Sequence, residues 1–174
     1  MRRMTNPAWI PPSGADVYKR QDYTAYDSLA ELSAADQELV KAAYDAALRA
    51  YAPYSKFHVG AALSTSEGVI ITGNNQENAS FPAGTCAERT ALHAAMSLDP
   101  KTVITTMAVI VPQVKGQRPV SPCGICRQAL LEQEARQDRK PLRLLMAVHN
   151  GPVFELRSAG ALLPLSFDAS FLNG

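Results

Sequence analysis

The sequence has no apolar run approaching the ~18 residues of a membrane-spanning helix. Its first residues also lack the apolar core of a secretory signal, because Pro7, Pro11 and Pro12 interrupt them. These two absences argue against a membrane partner and predict a soluble, cytoplasmic protein.

A strong excess of charge of either sign is also missing. The chain carries 17 lysines and arginines against 16 aspartates and glutamates, which gives a formal net charge of +1. So small a charge produces little field to attract nucleic acid, and a polynucleotide partner is therefore not expected. Cysteine is scarce too, and its odd count of three argues against a disulfide framework and for reduced thiols.

What is present fits one α/β domain, since 174 residues suffice for a single sizeable core. Residues 1–26 hold no lasting apolar period and are predicted to be a disordered or non-native tail, with the folded domain at 27–174. Within the domain, the apolar patterns predict a mixed sheet of about five strands covered by helices. The predicted helices span 34 to before 53, 87–98 and 124–137, and the predicted strands span 57–64, 69–72, 103–111, 142–148 and 153–156.

The three cysteines fall into two half-motifs, Cys86-Ala87-Glu88 and Cys123-Gly-Ile-Cys126. By itself the C-x-x-C turn also suits a structural zinc knuckle or a redox pair. Each half-motif lies where a predicted helix begins, and a helix N-terminus favours the thiolate form that binds zinc. Cys86 is expected to precede its helix, because residues i and i+2 of a helix point about 200° apart and Glu88 could not then face the same ion.

Three protein ligands leave the fourth tetrahedral position of zinc open, as in catalytic sites. His93 lies seven residues after Cys86, roughly 10 Å along a helix, which is too far for one ion. His58 and His149 have no metal-ligand spacing to the cysteines. Water is therefore the expected fourth ligand. The alternative, a purely structural zinc module, requires a fourth protein ligand and leaves Glu88 without a role.

The paired half-motifs match the zinc deaminase signature, [HC]-x-E followed by P-C-x-x-C. Two further blocks, YSKFHVGAA at 54–62 and GNNQENAS at 73–80, complete a resemblance to the cytidine deaminases over residues 35–167. The chain is similar to the single-domain, homotetrameric branch of that family. This resemblance implies a three-layer α/β/α fold of the cytidine-deaminase type.

The resemblance implies one Zn²⁺ per subunit, and the three cysteines are its implied ligands: Cys86, Cys123 and Cys126. Glu88 matches the catalytic residue that moves the protons. Arg89 would donate to the thiolates and withdraw charge from the metal site, although Arg127, beside the last cysteine, could do the same.

The implied substrate-binding residues are Phe57, Asn75, Glu77, Ala79, Phe81, Ala87 and Phe167. The amide and the carboxylate match the positions that bind the ribose hydroxyls, Phe57 matches the aromatic residue that packs on the base, and the Ala87 backbone would orient the pyrimidine edge. Ala79, Phe81 and Phe167 match positions at which neighbouring subunits complete a shared pocket. Two residues depart from the family, Phe81 where tyrosine is common and His58 where proline is usual.

The implied reaction is the hydrolytic deamination of cytidine and 2′-deoxycytidine to the uridine nucleosides and ammonia, in pyrimidine salvage. The carboxylate of Glu77 suits a diol and would repel a 3′-phosphate, so a free nucleoside is the expected partner. The same catalytic residues could instead act on a related aminopyrimidine, such as blasticidin S or a free base.

Overall fold

Seven strands form one mixed sheet in the computed structural model, which describes residues 2–5 and 22–172. In chain order they are β1 (Arg2–Thr5), β2 (Asp22–Tyr26), β3 (Gly60–Thr65), β4 (Ile70–Asn74), β5 (Ile104–Ile110), β6 (Arg143–Ala147) and β7 (Val153–Leu156). Their order across the sheet is β1-β2-β7-β6-β5-β3-β4. The central pair β5 and β6 is parallel, and the other neighbours pair antiparallel.

Three helices cover the sheet on two sides, α1 (Ala34–Ala47), α2 (Ala87–Leu98) and α3 (Gly124–Arg136). Strand β3 divides the core between them, because successive side chains of a strand point to opposite faces. Ala62 packs in the cluster that contains the buried stripe of α1, whereas Ala61 and Leu63 pack with α2 and α3. The predicted three-layer α/β/α architecture is therefore confirmed. None of the helices in the described ranges is long and apolar enough to cross a membrane.

The N-terminal segment corrects two predictions. The sheet has seven strands where about five were expected, because β1 and β2 extend it beyond β7. Residues 22–26, assigned from the sequence to the tail, are held there by side chains: the Tyr26 hydroxyl donates to Glu155 Oε2 at 2.7 Å, and Tyr23 stacks on Phe154 with ring centroids 4.7 Å apart. The rest of the predicted tail, residues 1 and 6–21, lies outside the described residues.

Both faces of the β3–β4 hairpin approach a helix very closely. A Cβ built at Gly73 of β4 would lie 2.4 Å from the Ala91 nitrogen and 2.5 Å from the Ala87 oxygen of α2. A Cβ at Gly60 of β3 would lie 1.9 Å from the Ala43 oxygen of α1. Glycine at these two positions lets backbone meet backbone, and it fixes α2 against the sheet at its N-terminal end.

Strand directions place the starts of α2 and α3 at one edge of the sheet. Strands β4, β5 and β6 run the same way, because β3 lies antiparallel between β4 and β5. Helix α2 follows β4 along the chain and α3 follows β5. The N-termini of both helices therefore meet at the carboxyl ends of these strands, the position where open α/β sheets bind ligands.

Candidate active site

Three thiols meet where α2 and α3 begin. Cys86 is the N-cap of α2, with an extended backbone at φ −74° and ψ 155°, as the sequence predicted. Cys123 is the N-cap of α3, and Cys126 lies buried in its first turn. The Cys123 sulfur lies 3.8 Å from that of Cys86 and 3.6 Å from that of Cys126, and all three sulfurs lie within 4.8 Å of one another.

This spacing fits a zinc ion. Thiolate sulfurs about 2.3 Å from zinc at tetrahedral angles stand about 3.8 Å apart, which the observed separations approach. Thiolates are also the soft ligands that zinc favours. Within the described part of the chain, no histidine or carboxylate joins the cluster. His149 stacks on Tyr44 instead, with ring centroids 4.6 Å apart, and His58 contacts Gln113. The cluster in the described residues therefore offers three thiol ligands to a metal ion.

The pKa values of the Cys86 and Cys126 thiols are shifted in opposite directions. A hydrogen bond from Cys126 lowers the pKa of Cys86 to about 5 against the effect of burial, with help from Arg89 and Cys123. The same bond, together with burial, raises the pKa of Cys126. Cys86 therefore ionises more readily than Cys126, and its position at a helix N-terminus also favours negative charge.

The two candidate arginines have different partners. Burial opposes the charge of Arg89, but hydrogen bonds to Cys86 and Cys126 outweigh it and raise the Arg89 pKa. Arg127 instead donates to the Pro122 oxygen at 2.7 Å, to Ser121 Oγ at 2.9 Å and to the Leu162 oxygen at 3.4 Å. Arg89 thus lies against the thiols, whereas Arg127 holds the loop that leads into Cys123.

Glu88 lies in the first turn of α2 and is only 4% exposed. Burial raises the pKa of its carboxyl, the neighbouring Cys86 charge acts in the same direction, and a hydrogen bond with Cys126 opposes the rise. A buried carboxyl beside the thiols is placed to accept and return a proton, as a general acid–base group must. The thiol cluster therefore has a proton-carrying group directly beside it.

A cavity of about 510 Å³ opens from the thiol cluster. Its lining residues are Tyr54, Ser55, Asn75, Gln76, Glu77, Asn78, Phe81, Gly84, Thr85 and Cys86. They come from the loop after α1 and from the segment between β4 and α2. The same cavity therefore brings together polar groups suited to hydroxyls and one thiol of the cluster that could hold a metal ion.

The carboxylate of Glu77 anchors the first of these loops to the second. It accepts hydrogen bonds from the Ser55 hydroxyl and from the backbone N–H groups of Tyr54 and Ser55, the latter two at 2.9 and 3.3 Å. The Ser55 hydroxyl is the main cause that lowers the Glu77 pKa, and burial opposes it. Glu77 is therefore an ionised acceptor on the cavity wall.

The amide of Asn75 makes a similar link through both of its polar atoms. Its Nδ2 donates to the Phe57 oxygen at 2.8 Å, and its Oδ1 accepts from the Val59 N–H at 2.8 Å. One amide hydrogen and one lone pair remain for a ligand. Asn75 thus has a fixed orientation and retains hydrogen-bonding capacity.

Comparison with known proteins also indicates a zinc deaminase, independently of the geometry of the site. Residues 33–137 match the family described as the cytidine and deoxycytidylate deaminase zinc-binding region. That match covers more than half of the chain. The chain belongs to this deaminase family.

Individual members of the family resemble the chain over most of its length. The cytidine deaminase of Halalkalibacterium halodurans is 41% identical over 137 residues, which cover 79% of this chain and 97% of that protein. The crystal structure of cytidine deaminase from Burkholderia pseudomallei superposes with a TM-score of 0.67 at 38% identity, covering 78% of this chain and all of the other. The blasticidin-S deaminase of Bacillus cereus is 36% identical over 103 residues, 57% of this chain and 73% of that protein.

The remaining residues taken from the family resemblance lie outside the lining of the described cavity. Ala87 is fully buried at the start of α2, and Ala79 is exposed. Phe57 contributes its backbone oxygen to Asn75. Phe167 is 58% exposed, stacks on Phe171 at 5.8 Å, and accepts a bond from Gln128 through its oxygen.

The cavity also contains residues to which the sequence assigned no role. Ser55 binds Glu77, and the Tyr54 ring packs edge-on against Phe81 with centroids 6.1 Å apart. Both lie inside the YSKFHVGAA block, which was the available signal. The contact with Glu77 joins residues 22 apart, so no local pattern could indicate it.

Proposed function

We propose that this enzyme hydrolyses the exocyclic amino group of cytidine and 2′-deoxycytidine, giving uridine or 2′-deoxyuridine plus ammonia in pyrimidine salvage. The observation that carries this proposal is that Cys86, Asn75 and Glu77 line one and the same cavity of about 510 Å³. A metal-ligating thiol and two hydroxyl-binding side chains thus face one space of nucleoside size.

Glu88 carries the protons in this proposal. Zinc, when held by the three thiolates, supplies Lewis acidity that lowers the pKa of water towards neutrality. Glu88 takes a proton from the attacking water and passes it to N3 of the pyrimidine as C4 is attacked. It then takes the second proton from the hydroxyl now on C4 and delivers it to the amine, so that the C4 carbonyl forms as the C–N bond breaks and ammonia leaves. Burial, which raises the Glu88 pKa, helps the carboxyl to hold the proton between these transfers.

Asn75 and Glu77 bind the sugar in this proposal. The amide keeps one donor and one acceptor for a hydroxyl, and the carboxylate accepts from a second hydroxyl. The lowered pKa of Glu77 keeps it ionised, so it would repel a 3′-phosphate. A free nucleoside is therefore favoured over a 3′-nucleotide or a nucleic acid. Phe57 would pack on the base, and the Ala87 backbone would orient its edge.

We further propose a cytoplasmic homotetramer with shared active sites. Phe81 and Phe167 are 77% and 58% exposed, and apolar rings so placed lose contact with water when a second copy covers them. With Ala79, they would complete the pocket of a neighbouring subunit. All three cysteines are free thiols, which suits a reducing compartment.

A second candidate substrate is blasticidin S. Similarity to the Bacillus cereus blasticidin-S deaminase favours it, although that match covers less of the chain than the match to the Halalkalibacterium cytidine deaminase. The exposed Phe81, which stands where tyrosine is common in the family, lies in the lining that would discriminate between the two.

The deciding experiment follows the ultraviolet absorbance of cytidine with and without a zinc chelator. We expect turnover of cytidine and 2′-deoxycytidine that the chelator abolishes and added Zn²⁺ restores. Parallel assays with cytosine and blasticidin S are expected to be slower. Faster turnover of blasticidin S would favour the second candidate, and turnover that resists chelation in a metal-free preparation would contradict the mechanism.

A further inference from the structure

The loop after β5 contacts the segment 56–58 through one side chain, Gln113. Its Nε2 donates to the Lys56 oxygen at 3.2 Å and contacts His58 Nδ1. The carbonyl can only accept, so the Gln113 atom facing it must be the amide nitrogen. His58 Nδ1 therefore accepts the second amide hydrogen, which places the imidazole proton on Nε2. One amide group thus holds the segment 56–59 at two points.

The same segment sets the orientation of Asn75. The Phe57 oxygen and the Val59 N–H, which bind the two atoms of the Asn75 amide at 2.8 Å each, lie on either side of His58. Lys56 begins the segment in the left-handed region, at φ 57°. A residue with a side chain adopts that conformation only when its surroundings impose it. Gln113 binds the carbonyl of this residue and so helps to impose it.

We propose that Gln113 and His58 are positioning residues for the nucleoside. They hold the segment 56–59, which in turn orients the Asn75 amide towards the sugar hydroxyls. This inference rests on the proposed role of Asn75 in nucleoside binding. The inference assigns a role to His58, which stands where proline is usual in the family: its ring accepts a hydrogen bond from Gln113. Neither residue lies in the lining of the described cavity, so each would act on the substrate through Asn75 and not by touching it.

Kinetics of five full-length, zinc-loaded variants test this inference. Gln113→Leu removes both contacts and His58→Phe removes the acceptor, so each is expected to raise KM for cytidine about 3- to 10-fold. The kcat should stay within about twofold, because an interaction lost equally from the bound substrate and transition state changes KM alone. The inhibition constant of the product uridine should rise in parallel with KM. Gln117→Leu, at an exposed glutamine in the same loop, should leave KM unchanged.

His58→Asn separates the hydrogen bond from the ring. Its amide oxygen can accept where Nδ1 did, so we expect it to restore most of the lost binding. Neither His58 variant has a titratable side chain, so the imidazole's electrostatic effect on Glu77 does not contribute to the difference between them. In the double variant Gln113→Leu with His58→Phe, the two increases in KM should be less than multiplicative, because the residues share one contact.

Four results would overturn the inference: a KM in Gln113→Leu equal to that of Gln117→Leu, a loss confined to kcat, no advantage of asparagine over phenylalanine at 58, or multiplicative effects. Thermal unfolding of every variant checks that the fold persists. A wild-type enzyme that ignores cytidine would instead contradict the proposed function itself, so the two failures are distinguishable.

Discussion

The two halves of the proposed active site, one catalytic and one for substrate binding, are built from different kinds of structure. The catalytic half stands on helix ends packed against the core, with Cys126 and Glu88 both buried. The binding half consists of loops joined by side-chain-to-backbone hydrogen bonds, among them those of Asn75 and Glu77. Groups on packed helices are held more precisely than groups on loops. The catalytic groups are therefore expected to be held firmly by packing, whereas the binding groups depend on a few hydrogen bonds that single substitutions can remove.

This difference predicts that substitutions separate by kinetic constant. A change in the helix-borne half removes interactions made in the transition state and should lower kcat. A change in the loop-borne half loosens bound substrate and transition state alike and should raise KM. A change remote from both halves should alter stability and leave both constants in place.

The largest effect is expected from Glu88→Gln. The amide nearly preserves the shape of the side chain but cannot carry a proton, so kcat should fall about 10²- to 10⁴-fold. Zinc content should be unchanged, since the three cysteines supply the ligating sulfurs. Steady-state kinetics together with metal analysis of the purified variant measure both quantities.

Glu38→Gln makes the same chemical change at an exposed position of α1 and should keep full activity. Near-normal turnover by Glu88→Gln would remove Glu88 from the mechanism. Loss of zinc in that variant would place Glu88 among the groups that hold the metal and would erase the separation between the two halves.

A smaller effect is expected from Asn75→Ala. This change leaves the Val59 N–H and the Phe57 oxygen without their partners and removes a group proposed to bind the sugar. KM for cytidine should rise about tenfold, with kcat within about threefold and zinc content unchanged.

Asn78→Ala provides the comparison, because Asn78 lines the same cavity but bonds its own loop at the Ser80 N–H, at 2.8 Å. Its KM should change less than that of Asn75→Ala. If Asn75→Ala lowered kcat as strongly as Glu88→Gln does, the loop-borne half would be part of the catalytic machinery.

The catalytic half was the easier one to predict from the sequence because its information is local. Cys123 and Cys126 are three residues apart, and Cys86 and Glu88 are two apart. Each pair lies at the start of a helix that the sequence predicts from its local composition. The capping serine of α1 was predictable for the same reason: Ser33 Oγ accepts from the Asp36 N–H at 3.2 Å.

The features that the sequence did not reveal depend on distant partners. The contact of Gln113 with His58 spans 55 residues, and that of Tyr26 with Glu155 spans 129. The residues of strand β2 were therefore assigned to the N-terminal tail, because their apolar pattern is short and their stabilising partners lie on β7. Composition can indicate that a segment is polar, but it cannot indicate which distant strand the segment will pair with.

The smallest effect is expected at this remote edge, from Tyr26→Phe. The hydrogen bond to Glu155, and then burial, raise the pKa of Tyr26 from 10.0 to about 12, so the folded state favours the neutral phenol. Its contribution is thus complete below pH 10 and is lost as the pH rises through 12. Wild type should exceed the variant by about 1 kcal/mol in free energy of unfolding at pH 8.

Urea unfolding at pH 8 and pH 11 measures that difference, which should shrink at the higher pH. Tyr51→Phe, at a 55% exposed tyrosine, corrects for the general titration of tyrosines. The kcat and KM of Tyr26→Phe should equal those of wild type at neutral pH, because the Arg143–Glu155 ion pair, with Nε to Oε1 at 3.0 Å, remains to hold β6 to β7. A change in KM would show that the edge strand reaches the binding loops, and the separation of stability from function at this edge would then be lost.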